Sequence, residues 1–225
     1  MMKKLTWCIA GIAVAAFMGT VQAATLTYSS SIPDTQMDWT DSTLKTLSVQ
    51  KFDTSLGTLN AVTLTLNGHV LGTIKFENLD AAAQTVTGTL RADMTLSGLP
   101  DAGIMELLSV KASRSDALSS YDGTTDYSGT SGKTYTNVLG SNKSTSTTYT
   151  NLSDLNLFTG SGTKDFTLEA ISSSYASGSG NVASQFTTYG AASLTAVYDY
   201  TVVPEPTAAL LFILGGAGVL LRRRK

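Results

Sequence analysis

The chain has 225 residues and a formal net charge of -2 at pH 7. Six of its 15 Lys and Arg and one of its 17 Asp and Glu lie outside residues 24–203, which therefore carry 9 basic and 16 acidic side chains. This balance argues against a nucleic-acid partner, which requires a basic face, and because Cys8 is the only cysteine, residues 24–203 have no disulfide framework.

Residues 1–23 have the three parts of a secretory signal peptide. A basic start at Lys3 and Lys4 precedes a short apolar stretch, and small residues at a cleavage position end at Ala23. We therefore predict export, with signal peptidase cleaving between Ala23 and Ala24. The alternative is an uncleaved N-terminal anchor, which the short apolar stretch and the cleavage position disfavour.

Residues 24–202 alternate apolar and polar side chains over most of their length, and a period of two predicts β-strands. The alternation holds on both sides of Asn67-Gly68. This dipeptide is the strongest short signal for a two-residue type I′ turn. We therefore predict a β-hairpin over residues 58–77.

Further strands are predicted after this hairpin. One carries four apolar side chains on one face: Val86, Leu90, Met94 and Leu96. Three more lie at residues 104–110, 166–170 and 194–200, and residues 152–158 offer at most one helical turn. Roughly eight to ten strands with frequent turns predict an all-β fold, a single antiparallel β-sandwich over residues 24–202.

The C-terminal end, residues 203–225, combines three features in order. A proline box comes first: Val203, Pro204, Glu205 and Pro206. An apolar run over residues 207–221 follows, and its rise of about 22 Å as a helix against a hydrocarbon core of about 30 Å predicts a short transmembrane helix. A basic cluster then ends the chain: Arg222, Arg223, Arg224 and Lys225. Such a cluster stays in the cytoplasm, which leaves the preceding residues outside.

In this arrangement residues 203–225 resemble the PEP-CTERM sorting signal of Gram-negative bacteria. The resemblance implies recognition by an exosortase, a membrane transpeptidase-like enzyme, followed by removal of the tail. It implies transient anchorage in the inner membrane through the C-terminal segment and a final place at the outer envelope, the cell surface or outside the cell. Related proteins occur where exopolysaccharide or biofilm matrix is built. The alternative is an ordinary C-terminal membrane anchor.

Short segments spread over residues 26–201 resemble the choice-of-anchor E domain. The segments are Ser31-Ile32-Pro33 with Trp39, and residues 51–59, 77–80, 129–132, 157–162 and 178–181. Such domains occur with different surface anchors, which implies an exported protein. The resemblance assigns no activity, no catalytic residue and no cofactor.

Two features are candidates for a metal or catalytic site. His69 is the only histidine, and because it follows the predicted turn, a surface position is favoured over a role in a Ser-His-Asp triad. The best calcium candidate is the loop at residues 122–126, with carboxylates at Asp122 and Asp126, although an ordinary Asp-Gly turn is the favoured interpretation. We predict no metal site and no cofactor.

Two further features concern sugars. Glycoside hydrolysis uses a pair of carboxylates, and residues 24–203 contain three glutamates, each expected on a solvated strand face: Glu77, Glu106 and Glu169. Aromatic rings that stack on pyranose rings are available as Trp39 and the tyrosines at 121, 127, 135 and 149. The favoured interpretation is that these rings fill the core beneath the loops.

These observations predict a structural or interaction protein of the cell surface or extracellular matrix, with no enzymatic activity and no catalytic residues. The first alternative is a carbohydrate-binding module for exopolysaccharide, which requires exposed, coplanar aromatic rings. The second is a polysaccharide hydrolase, which requires two carboxylates facing each other across a cleft.

Overall fold

The computed structural model describes residues 22–203 of the chain. Most of the predicted signal peptide, residues 1–21, lies outside the described residues. So do Pro204, Glu205 and Pro206 of the proline box, the predicted transmembrane run and the basic cluster. Within residues 22–203, no helix has the length and apolar character needed to cross a membrane.

The described residues form ten strands: β1 (Ala23–Gln36), β2 (Lys45–Gln50), β3 (Gly57–Asn78), β4 (Gln84–Ser97), β5 (Met105–Leu118), β6 (Gly132–Leu139), β7 (Lys143–Tyr149), β8 (Thr163–Ser172), β9 (Tyr175–Ser177) and β10 (Val182–Val202). One α-helical turn, α1 (Leu152–Leu155), continues into a 3-10 turn at Asn156–Phe158, which confirms the helical turn predicted at residues 152–158. Another 3-10 turn covers Asp41–Thr43.

The strands make two sheets of five strands, and every pairing between named strands is antiparallel. Sheet A has the order β1-β10-β3-β6, with β7 also pairing with β3, and sheet B has the order β2-β8-β4-β5, with β9 also pairing with β4. Their inner faces enclose one core of buried apolar side chains. The mostly antiparallel β architecture in two sheets agrees with the predicted fold class.

The predicted hairpin over residues 58–77 is wrong, because β3 is one unbroken strand of 22 residues. Asn67 and Gly68 lie in the middle of it and pair with Ser193 and Ala192 of β10.

The inner face of β3 explains why no turn forms there. Every even-numbered residue from Val62 to Phe76 is buried, including Gly68. In a hairpin turning at residues 67 and 68, even-numbered residues would lie opposite odd-numbered ones. The apolar side chains after the turn would then point to the opposite face from those before it. A straight strand keeps all of them in the core.

Gly68 is required by the close approach of the two sheets. A Cβ atom at Gly68 would lie 2.7 Å from Sδ of Met94 and 3.0 Å from Cδ1 of Leu107, both in sheet B. Gly72, four residues on, faces the core in the same way, and a Cβ atom there would overlap the carbonyl oxygen of Thr187 in β10.

The long strands β3 and β10 give the protein two distinct ends. They pair from Val182 opposite Asn78 to Val202 opposite Gly57. A strand of 21 residues spans roughly 65 Å, whereas most strands have only about 3 to 10 residues. At one end, called the near end below, the backbone N–H of Val202 donates to the carbonyl oxygen of Gln22 over 3.0 Å. The other end is called the far end.

Tyr198 of β10 lies in the core close to this near end and connects the two sheets through a hydrogen bond. Its side chain is fully buried, and its hydroxyl donates to the carbonyl oxygen of Gln50 in β2 over 2.7 Å. The ring contacts Phe52 and Phe158 at centroid distances of 6.1 and 6.3 Å. Burial, together with the nearby Tyr28, raises the pKa of Tyr198.

We predict that Tyr198→Phe flattens the loss of stability at alkaline pH. Because the folded chain raises the pKa of Tyr198, the unfolded chain ionises first, and stability falls as the pH rises above the ordinary tyrosine pKa of about 10. At pH 7 the variant should lose about 1 kcal/mol with the hydrogen bond to Gln50. Urea unfolding at neutral and alkaline pH measures both effects, and Tyr175→Phe, at a half-exposed ring on β9, is the control. Equal pH dependence in the wild type and Y198F would contradict this account.

Candidate functional site

Two of the five candidate sugar-stacking rings lie in the core. Trp39 is 1% exposed, and its indole N–H donates to the carbonyl oxygen of Gln36. Tyr149 is 6% exposed, with its hydroxyl 3.5 Å from Oδ1 of Asp101. Burial, and next the charge of Asp101, raises the pKa of Tyr149. Both rings fill the core, as the favoured interpretation expected.

The other three candidate rings are half-buried and have separate partners. Tyr135 packs on Phe76 and donates a hydrogen bond to the Asp116 carboxylate. The Tyr121 hydroxyl lies 2.9 Å from that of Thr125, and the Lys75 ammonium lies 5.9 Å from the centre of the Tyr127 ring. The five rings therefore do not form a shared exposed platform.

Glu77 is fully buried, so the expected solvated position is wrong for this residue. Its two carboxylate oxygens accept hydrogen bonds from the Tyr127 backbone N–H over 2.7 Å and from the Ser131 hydroxyl over 2.5 Å. The carboxylate thereby holds the loop between β5 and β6 against the end of β3.

Glu106 and Glu169 lie on the outer face of sheet B. Each pairs with Thr95 of β4, from opposite sides, so two strand spacings, about 10 Å, separate them. They project from one sheet face and do not face each other as a hydrolase pair would.

In the loop at residues 122–126, each carboxylate closes its own turn. Oδ1 of Asp122 accepts a hydrogen bond from the Thr124 N–H over 3.0 Å, and Oδ1 of Asp126 accepts one from the Ser128 N–H over 2.9 Å. Gly123 has a φ of 98°, which glycine adopts readily in a turn. Within residues 22–203, no three His, Cys, Asp or Glu side chains are grouped to hold a metal ion.

Buried amides close the far end. The Asn78 side chain donates to the carbonyl oxygen of Ser119 over 2.7 Å and accepts from the Gln84 side chain over 2.6 Å. Gln84 in turn accepts a hydrogen bond from the Gly180 N–H over 2.9 Å. Three of the segments that resemble the choice-of-anchor E domain, residues 77–80, 129–132 and 178–181, meet in this region.

The outer face of sheet A carries a regular set of hydroxyl groups, called the hydroxyl array below. It consists of three rows across β1, β10, β3 and β7, in which every residue except Val197 and Asn67 carries a hydroxyl: Thr27, Val197, Thr63 and Thr148; Ser29, Thr195, Thr65 and Ser146; Ser31, Ser193, Asn67 and Ser144. None of these residues is charged. Hydroxyls of neighbouring strands bond each other in two rows, at 2.9 Å and 3.0 Å.

A depression of about 230 Å³ adjoins the third row of the array. Its lining includes polar residues from three strands, β1, β3 and β10, and from the connection between β6 and β7: Ser31, Asn67, His69, Ser193 and Asn142. Its floor includes Ala191 of β10, whose small side chain leaves space between β1 and β3.

His69, which lines one side of the depression, is hydrogen-bonded to Asp34. His69 lies opposite Ala191, in mid-strand and half-buried, not beside a turn as expected. In β1 a bulge places both Pro33 and Asp34 opposite Ala191. Oδ1 of Asp34 then lies 3.0 Å from Nε2 of His69, across Ala191. A carboxylate only accepts hydrogen bonds, so Nε2 carries the proton and Nδ1 is left available.

No protein-family model matches the chain, and no curated protein matches it. Among solved structures, a structure of infectious bursal disease virus (Gx strain) is 11% identical over 89% of this chain and 48% of its own, with a TM-score of 0.24. The VP2 subviral particle of the same virus is 15% identical over 96% of this chain and 54% of its own, with a TM-score of 0.18. The chain thus spans about half of these proteins, and such TM-scores do not establish a shared fold.

Sequence reasoning missed Tyr189, the outward-facing residue next to Ala191 along β10. It lies opposite Leu71 of β3, which lies opposite the exposed Leu139 of β6, so an apolar row borders the depression. The parity of β10 carries the signal: even-numbered Leu194, like its even-numbered neighbours, faces the core, so odd-numbered residues face outward.

We predict that Glu77→Ala lowers the free energy of unfolding by about 2–3 kcal/mol, because it leaves the Tyr127 N–H and the Ser131 hydroxyl without their acceptor. Glu169→Ala, on the outer face of sheet B, should stay within about 0.5 kcal/mol of the wild type. Urea unfolding of both variants measures the difference, and equal stabilities would refute the structural role of Glu77.

Proposed function

We propose that the protein is exported and displayed at the outer cell envelope or in the extracellular matrix, where residues 24–202 act as a structural or interaction domain, with no catalytic role. Residues 1–23 direct export, and signal peptidase cleaves between Ala23 and Ala24. Residues 203–225 act as a PEP-CTERM-type signal. In this proposal an exosortase recognises the box from Val203 to Pro206, while the basic residues 222–225 hold the tail at the inner membrane.

The position of the two chain ends is the observation that supports this proposal most. Ala23 pairs with Thr201 at the near end, so the leader and the tail both leave the domain there. The far end lies roughly 65 Å away along β10. A chain held through its tail would therefore place the far-end loops away from the membrane. It would also leave the outer faces of both sheets accessible to a partner.

The surface chemistry supports an interaction role. The hydroxyl array is open, uncharged and spans four strands. Hydroxyl groups both donate and accept hydrogen bonds, so such a face suits an uncharged, hydroxyl-rich partner better than a charged one.

The intact mass of the protein from the envelope and from the culture medium tests the proposal. We expect a chain that starts at Ala24 and ends between Val203 and Pro206. Replacing Pro204 and Pro206 by Ala should leave the tail attached, whereas Pro100→Ala, outside the box, should not. A wild-type protein that keeps Leu221 and the basic residues would contradict processing through the tail.

A further inference from the structure

We propose that the depression beside the hydroxyl array binds one sugar residue of a neutral polysaccharide, with Tyr189 as the apolar platform for that residue. This inference rests on the proposed function, because display outside the cell is what would bring the protein into contact with a polysaccharide.

Two separate irregularities of the chain shape the same row of sheet A. On one edge, the bulge in β1 sets Pro33 and Asp34 opposite a single residue, Ala191. On the other edge, residues 140–142 interrupt the pairing of β6 and β7 with β3, opposite His69. Bulges disrupt the hydrogen-bond ladder and re-aim side chains, often beside binding sites. The bulge in β1 and the break between β6 and β7 both fall at the row of Ala191 and His69. Together they form the depression between them.

The polar side chains of the depression have unused hydrogen-bonding capacity. Within the described residues, the structure assigns no side-chain hydrogen bond to Ser31, Asn67, Asn142 or Ser193. Each amide offers two donors and an acceptor, and each hydroxyl offers both functions. A sugar ring, whose hydroxyls also donate and accept, matches this set. His69 is held by Asp34 over 3.0 Å, which fixes the orientation of its free Nδ1.

The apolar part of the site lies next to these groups. Tyr189 stands one outward position from Ala191 and lies opposite Leu71. A tyrosine ring has an apolar face and a polar tip, and the C–H face of a pyranose ring can pack on it. A volume of about 230 Å³ is below the roughly 300–1,000 Å³ of drug-sized sites, so it suits one ring. The open array beside it leaves room for the rest of a chain.

The charges nearby favour a neutral polymer over an acidic one. The three rows of the array contain no charged side chain. His69 is paired with Asp34, and the Lys143 ammonium is directed to the carbonyl oxygen of Leu108 over 2.6 Å. The described residues that line the depression include no lysine or arginine, so an acidic polysaccharide would meet no such cation there and would lie near the Asp34 carboxylate.

Calorimetric titration of the chain, purified in the form that mass spectrometry finds, tests the proposal. The probes are neutral hexasaccharides of β-1,4-glucose, β-1,3-glucose, α-1,4-glucose and N-acetylglucosamine, with an alginate hexasaccharide as the acidic comparison. We expect at least one neutral probe to bind and the alginate probe to bind more weakly. Binding by none of the neutral probes, or preference for alginate, would overturn the proposal.

Two pairs of variants locate the site. Ala191→Met fills the depression and should raise Kd at least about tenfold, whereas Ala61→Met, at an outward position of β3 outside the array, should change it little. Tyr189→Ala should weaken binding similarly, whereas Tyr175→Ala on sheet B should not. Equal losses in A191M and A61M would reject the depression as the binding site. If A191M fails to fold, Tyr189→Ala and Asn142→Ala decide the question.

These titrations use purified protein, so their outcome does not depend on where the cell delivers it. Binding by a chain that keeps its tail would support the site while rejecting the proposed processing. A correctly processed chain that binds none of the neutral probes would support the proposed processing and reject the sugar site.

Discussion

The inner face of β3 is the constraint on which the rest of the structure depends. From Val62 to Phe76 its even-numbered residues lie against sheet B, and Gly68 allows Met94 and Leu107 to approach. β10 keeps the same parity beside it. Because even-numbered residues face the core throughout this stretch of both strands, the outward, odd-numbered residues also stay opposite one another. The hydroxyl array and the depression are therefore consequences of how the core is packed.

The two ends of these strands have different roles. The near end brings together Gln22 and Val202, next to the segments predicted to be a leader and a sorting tail. The far end is closed by hydrogen bonds to the buried side chains of Glu77 and Asn78. Such buried polar groups are costly unless satisfied, so their pairing fixes the loops that a displayed domain would present. The difference between the two ends of the β3–β10 pair is therefore consistent with the proposed role at the cell surface.

The sequence predicts the alternating strands well, because burial of one face imposes a period of two; the buried face of β4, from Val86 to Leu96, is an example. It is misleading at Asn67-Gly68, where the local signal predicts a turn. The buried apolar positions stay even-numbered on both sides of this dipeptide, which is the pattern of one continuous strand. The burial of Glu77 was out of reach because Ser131, one of its partners, is 54 residues away. The depression depends on pairing registers around Ala191 that no local pattern specifies.

The distance between Asn60 and Thr73 tests the unbroken strand most directly. Both residues are changed to cysteine in a Cys8→Ser background, spin-labelled and measured by double electron–electron resonance. Thirteen residues of continuous strand predict a separation of about 40 Å. A hairpin turning at Asn67-Gly68 would bring the two positions to about 10 Å. The longer distance supports the outer face of sheet A as described, and the shorter one would contradict the fold and the site built on it.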